Sequence, residues 1–311
     1  MKKPLILDCT ASLADCAALR FVLQSGSLSL LGVTTVTGVT TAAEGAGLLS
    51  RLLGRADAHL PLAAGAAAPL ARRMHEKKAP SPALSPDGPA EVRCPVLPKA
   101  AHLLMAELLE QSLRPVTILA TGPLTNIALL LASRPDLKER IDHITAVGGA
   151  VIGGNATPAA EYNFYTDPEA ADYVLKSGIP VILHPLDLAA QTALTREEIE
   201  RTLLTGTDAD PALAACIEAA FEAAPRWLPG CYTAPLAAVV YENQSEIFET
   251  VPVWLAVETA SEYCDGHLIC DRRGRDGHER IHRLVTGLDR EVCLSLLAQA
   301  ANRTRRRELY V

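Results

Sequence analysis

Short apolar runs alternate along the chain with longer segments of helical period. Leu5-Ile6-Leu7 is a buried-strand signal that stops at Asp8. The pattern from about Leu13 to Leu23 predicts a helix ended near Ser25-Gly26, and Leu28 to Val36 a second strand. Thr40 to Leu53 predicts another helix, closed by Gly54. Val116 to Ala120, Ile144 to Val147 and Val181 to Leu183 read as further strands, the first running through Thr121-Gly122-Pro123-Leu124-Thr125-Asn126 into a helix. Repeated strand, helix, strand implies right-handed crossovers, hence an α/β fold with a mostly parallel central sheet and helices on both faces. Ligands of such sheets sit beyond the carboxyl ends of the strands. Asp8 to Asp15, Thr37 to Thr40, Thr121 to Asn126 and the residues from Gly148 onward are therefore the places to look for chemistry.

The remaining pattern is less regular. Between Ala79 and Pro98 stand Pro80, Pro82, Pro86, Pro89, Pro95 and Pro98, so residues 79–98 are expected to form a loop, not a helix or a central strand. Thr195 to Ala224 is Ala/Glu-rich and helical; Val251 to Val257 and Leu268 to Cys270 predict strands, and Arg290 to Arg303 a final helix. No internal repeat interrupts residues 1–311, which are expected to fold as one domain.

Composition changes this picture in few places. Aromatic residues are 4% of the chain, so the core must come from Ala, Leu, Val and Ile. The net charge of -7 gives no broad electrostatic reason to bind nucleic acid or an anionic membrane. No run approaches the ~20 apolar residues of a membrane span, and Asp8 and Asp15 break up the apolar N-terminus, so a cytoplasmic location is expected. The eight cysteines include no CxxC pair and match no zinc spacing; they read as reduced thiols. Arg303, Arg305, Arg306 and Arg307 read as a solvated helix end, and His75 and His184 as lone histidines without a ligand pattern.

Two stretches carry a resemblance. Gly153-Gly154-Asn155-Ala156-Thr157, continuing through Glu161-Tyr162-Asn163 to Asp167-Pro168-Glu169-Ala170-Ala171, is similar to a segment of the nucleoside hydrolases, and Thr121-Gly122-Pro123-Leu124-Thr125-Asn126 is similar to their TGPLTN turn. Weaker support comes from Thr34-Thr35-Val36-Thr37-Gly38, Gly148-Gly149 and Leu186-Asp187-Leu188. The resemblance spans nearly the whole chain and implies the nucleoside hydrolase fold, a homo-oligomer, and cleavage of the N-glycosidic bond of ribonucleosides through an oxocarbenium-like sugar. It also implies a calcium ion that binds the attacking water and ribose hydroxyls, held by aspartates of an N-terminal DxDxxxDD motif, a threonine carbonyl and a distal aspartate of an HDP-type segment.

Carried over residue by residue, that set has gaps. Asp8 matches the first motif aspartate and Asp15 the last, whereas Thr10 stands at the general-base and calcium position and Ala14 replaces an aspartate that contacts ribose. The motif's Pro-Gly has become Ala11-Ser12, and Val39 follows Gly38 where an asparagine is expected. A His-Gly loop is replaced by the proline-rich segment after Met74. The HDP segment aligns with Thr233-Ala234-Pro235, placing Thr233 at the leaving-group histidine and Ala234 at the distal calcium aspartate. Asp15 and the Thr121 carbonyl remain as vestigial metal ligands, and Asn155, Glu161 and Asn163 match ribose-binding residues. No metal is expected to bind tightly, because carboxylate count is a main lever on calcium affinity.

Each residue also has a plainer reading. Asp8 is a turn cap, Asp15 a helix N-terminal charge, Asn155, Glu161 and Asn163 a hydrogen-bond network holding a loop, Asp167 a helix start and Cys9 a buried thiol. Three functions follow: a nucleoside hydrolase with weak or absent family-type activity, a non-catalytic homologue binding a nucleoside, sugar or protein partner, and a metal-free hydrolase, for which no second acid/base pair stands at recognisable spacing.

Overall fold

The computed structural model describes residues 1–56, 58–72, 94–202, 220–222, 224, 226, 228–275 and 277–308. Its first half runs β1 (Lys3–Cys9), α1 (Leu13–Gln24), β2 (Leu28–Thr35), α2 (Ala42–Arg55), β3 (Leu62–Ala64), β4 (Val96–Leu97), α3 (Ala101–Gln111), β5 (Val116–Ala120), α4 (Thr125–Ser133) and β6 (Ile141–Val147). The second half runs α5 (Tyr162–Thr166), α6 (Pro168–Leu175), β7 (Val181–His184), α7 (Ala189–Thr192), α8 (Arg196–Thr202), α9 (Ala234–Asn243), β8 (Phe248–Val257), β9 (Leu268–Asp271), β10 (His282–Leu288) and α10 (Arg290–Glu308).

The strands form one ten-stranded sheet in the order β4-β3-β2-β1-β5-β6-β7-β10-β8-β9. It is parallel from β4 through β10, and only β8 and β9 join antiparallel. Side chains alternate across the pleat. Leu5 and Leu7 of β1 point to a core built with α1, α2, α9 and α10, while Ile6 points to a second core built with α3, α4 and α6. β1, β5 and β6 are buried on both faces, which is why they read as unbroken apolar runs.

One sequence expectation needs revision. Residues 79–98 were expected to be loop throughout; residues 79–93 lie outside the described residues, but Val96–Leu97 forms a short strand paired with Leu62 and Ala63 at the sheet edge. Pro95 and Pro98 flank it, and an edge position spares a proline the ladder hydrogen bond it cannot make. The helix expected over 195–224 is described as α8, whereas 203–219 lie outside the described residues. β10 went unread although it sits between β7 and β8, because His282-Arg283 and Thr286-Gly287 break its apolar run.

The chain leaves β1 toward β2 on one side and β5 on the other. That reversal of strand order opens the crevice in which open α/β sheets hold ligands. The residues following β1, β5 and β6 meet there.

Candidate active site

The loop after β1 turns sharply. Ala11 has φ +57, among the described residues the only non-glycine with positive φ. Ser12 then caps α1: its Oγ accepts from the Asp15 amide (3.2 Å), and its own amide donates to Asp15 Oδ2 (2.8 Å). The same Oδ2 accepts from the Thr10 hydroxyl at 3.0 Å. Asp15 Oδ1 is buried as well. Burial raises the pKa of this carboxyl, against hydrogen bonds led by that of the Thr121 side chain.

Asp8, at the end of β1, is fully buried. Its Oδ1 accepts from Thr34 Oγ1 (2.7 Å) and Asn126 Nδ2 (2.8 Å), and its Oδ2 has no partner. Burial pushes this carboxyl up to about 7, against those two hydrogen bonds, with a further push from the charge of Asp15. Asn126 joins three strand ends: Nδ2 also donates to the Thr35 carbonyl (2.9 Å), and Oδ1 accepts from the Ala66 amide (2.8 Å). The Thr121 amide donates to the Asp8 carbonyl at 2.9 Å, which ties the end of β5 to β1. Gly122 is required beside it: a Cβ there would stand 2.7 Å from the methyl of Thr10 and from Val36.

The far wall comes from the segment after β6. Glu161 caps α5, and its Oε2 accepts from the amides of Gly149 (2.9 Å), Asn163 (2.9 Å) and Phe164 (3.2 Å). Burial raises its carboxyl to about 7 despite those bonds. Asn163 Nδ2 donates to the carbonyls of Val147 (2.8 Å) and Thr121 (3.2 Å), so the Thr121 carbonyl already carries a hydrogen bond. Asn155 lies on an exposed loop, where its Oδ1 accepts from the Tyr162 amide at 2.8 Å. The Tyr162 hydroxyl reaches across to the Gly38 carbonyl at 3.1 Å. Asp167 caps α6 and also accepts from Thr125 and Leu70.

The structure thus gathers Asp8, Thr10, Asp15, Thr121, Glu161 and Asn163, all buried, at one end of the sheet. Asn155 stays at the rim. Thr233 and Ala234 are buried at the start of α9, which packs against α1; the Thr233 hydroxyl donates to the Thr192 carbonyl, and Ala234 shares a core cluster with Cys9 and Ala11. His184 is packed edge-on against Tyr241 and Phe248, and burial lowers it to about 4. Burial also raises the Cys9 thiol, which suits an inert residue. His75 lies outside the described residues. Tyr232 is the residue that sequence reasoning passed over: its hydroxyl is buried without a partner, and its pKa is raised by burial first and then by the charges of Glu161 and Asp15. No motif marks it, because more than a hundred residues separate it from Thr121.

Among the described residues, no group of three or more His, Cys, Asp or Glu is placed to hold a metal ion, and no helix is long and apolar enough to cross a membrane.

The fold and the crevice after β1, β5 and β6 define the nucleoside hydrolase class of α/β proteins. A plant nucleoside hydrolase, PpNRh1, superposes with a TM-score of 0.84 at 23% identity, covering 97% of this chain and 99% of its own. A purine-preferring ribonucleoside hydrolase from Gardnerella vaginalis gives 0.85 at 24%, with coverage of 97% and 99%. In sequence, the family described as inosine-uridine preferring nucleoside hydrolase matches residues 5–295. The pyrimidine-specific ribonucleoside hydrolase RihA of Shewanella woodyi is 36% identical over 310 residues, 96% of this chain and 98% of the relative. RihA of Enterobacter sp. (strain 638) is 35% identical over 309 residues, 96% and 97% of the two chains. The chain belongs to the inosine-uridine preferring nucleoside hydrolase family.

Proposed function

We propose that this chain is a ribonucleoside-binding member of its family in which calcium-dependent hydrolysis is weak or absent. One observation carries the reading: beside Asp15 the end of β1 presents the Thr10 hydroxyl, 3.0 Å from Oδ2 and donating to it. Calcium takes six to eight oxygen ligands, several of them carboxylate. The oxygens at this place are few. Asp15 Oδ2 accepts from Thr10 and Ser12, Asp8 Oδ1 is held by Thr34 and Asn126, and the Thr121 carbonyl accepts from Asn163. Ala14 and Ala234, at two further ligand positions implied by the resemblance, have no side-chain oxygen to offer. These residues do not fit a tightly held calcium ion. Without a metal or a base, water keeps a pKa near ~15.7 and is a poor nucleophile.

What the site retains suits a sugar. Glu161 and Asn163 are buried, Asn163 against the Thr121 carbonyl, with Asn155 on an exposed loop nearby in sequence. The name of the RihA relatives makes pyrimidine ribonucleosides the first ligands to try.

The test is base release from uridine and inosine, with millimolar calcium and again with EDTA. The expected rate is at least about 1,000-fold below the ~10 s⁻¹ typical of enzymes, with no effect of chelation. EDTA-sensitive turnover in the ordinary range overturns the proposal, and substantial EDTA-resistant release favours a metal-free catalyst.

A further inference from the structure

We infer that Tyr162 is a specificity-determining residue: its hydroxyl fixes the width of the crevice and so disfavours the broader, purine ribonucleosides. This rests on the ribonucleoside-binding reading above.

Tyr162 is the first residue of α5, on the wall that follows β6, and Gly38 belongs to the loop that follows β2. In the sheet β1 and β5 stand between those two strands, so the two segments leave strand ends about 14 Å apart, three strand spacings. The Tyr162 hydroxyl nevertheless donates to the Gly38 carbonyl at 3.1 Å. Contacts on both sides locate this meeting at the ends of β1 and β5. A Cβ on Gly38 would lie 2.7 Å from the Thr10 methyl and 3.3 Å from Pro123, and the Thr40 hydroxyl donates to the Thr10 carbonyl at 2.5 Å. Asn163, next to Tyr162, donates to the Thr121 carbonyl at 3.2 Å.

The bond therefore ties the two walls together across the strand ends that carry Thr10 and Thr121. The wall after β6 is anchored without it: Glu161 accepts from three backbone amides, and Asn163 donates to the Val147 and Thr121 carbonyls. Gly38 is packed on Thr10 so closely that not even a methyl fits between them. To widen the crevice, Gly38 must move away from Tyr162 and the hydrogen bond must break. A ribonucleoside seated at Asp15 and Thr121 lies between these walls. Its base is one ring in a pyrimidine and two fused rings in a purine, so the purine needs the wider gap and bears the loss of the bond. Tyr162→Phe keeps the aromatic ring and removes only the hydroxyl.

The test is titration calorimetry of wild-type protein and Tyr162→Phe with uridine and inosine, with hydrogen exchange of the amides of residues 37–41 read in parallel. Tyr162→Phe is expected to bind inosine about fivefold more tightly than wild type, the worth of one neutral hydrogen bond, and to bind uridine within about twofold of wild type. The loop amides should exchange faster in the variant. A purely structural hydroxyl would speed that exchange without changing the ratio of inosine to uridine affinity. An unchanged or lower ratio overturns the inference and, where wild type binds uridine, leaves the ribonucleoside reading intact. Failure of both proteins to bind either nucleoside overturns both.

Discussion

Ala11 shows how much a single residue of the site constrains the rest. Its φ of +57 places an L-residue in the left-handed region, which costs roughly 1–2 kcal/mol. The family motif has proline where this chain has Ala11, yet proline fixes φ near −65° and is incompatible with the observed backbone. Ala11→Pro should therefore destabilise the protein by about 3 kcal/mol or more, although it restores the motif. Ala11→Asn, which tolerates this conformation, should stay within about 1 kcal/mol of wild type. Urea denaturation of the two variants decides the point; wild-type stability in Ala11→Pro would mean the loop does not hold this turn. The same residue marks the limit of sequence reading. Motif spacing placed Asp8, Asp15, Thr121, Glu161 and Asn163 near one another in the fold, because strand ends in a parallel sheet converge. Spacing carries no dihedral, no hydrogen-bond direction and no sign of the engagement of the Thr121 carbonyl by Asn163. Tyr232 was invisible for a related reason: its ring packs against Leu186, Ala189 and Ala193, residues that no motif links to it.

Elements far from the site are held by a buried polar junction. Glu242, near the end of α9, accepts from Lys3 of β1 and from His143 and Thr145 of β6. Burial alone would raise its pKa, but the His143 hydrogen bond and charge, followed by the charge of Lys3, outweigh this and hold it at about 2. A carboxyl lowered on folding adds stability that is present above its unfolded pKa of about 4.5 and is lost as pH falls through the folded value. Stability should accordingly drop between pH about 4.5 and about 2. Glu242→Gln should cost roughly 3 kcal/mol at neutral pH and flatten that part of the curve, which equilibrium denaturation at stepped pH would detect. An unchanged acid limb would show that Glu242 does not anchor α9 to the sheet. No motif announces this junction either, whereas the parallel strands around it were legible because burial on both faces enforces continuous apolar runs. The strands missed were those whose sequence obeys another rule. β3 and β4 are too short to show a period, and β10 lies where the sheet changes from parallel to antiparallel pairing, with polar residues in its run.

At the scale of the whole molecule, any ligand that binds only the native state must stabilise it. Calcium is then a probe of the full donor set without reference to turnover. A site occupied at one hundred times its dissociation constant gains about 2.7 kcal/mol, worth several degrees in a chain of this size. The proposed loss of ligands at Thr10, Ala14 and Ala234 predicts that 5 mM calcium moves the wild-type melting temperature by less than about 1 °C. The variant Thr10→Asp/Ala14→Asp/Ala234→Asp adds three carboxylates at buried positions, and buried like charges oppose folding. It should melt below wild type in EDTA and regain several degrees on adding calcium, with the regained stability saturating as the ion is titrated. The two halves fail separately. A calcium shift in the wild type would overturn the reading of Thr10 and its neighbours. A triple variant blind to calcium would instead show that Ala234 does not face the other two positions, breaking the alignment of Thr233-Ala234-Pro235 while leaving the wild-type reading in place.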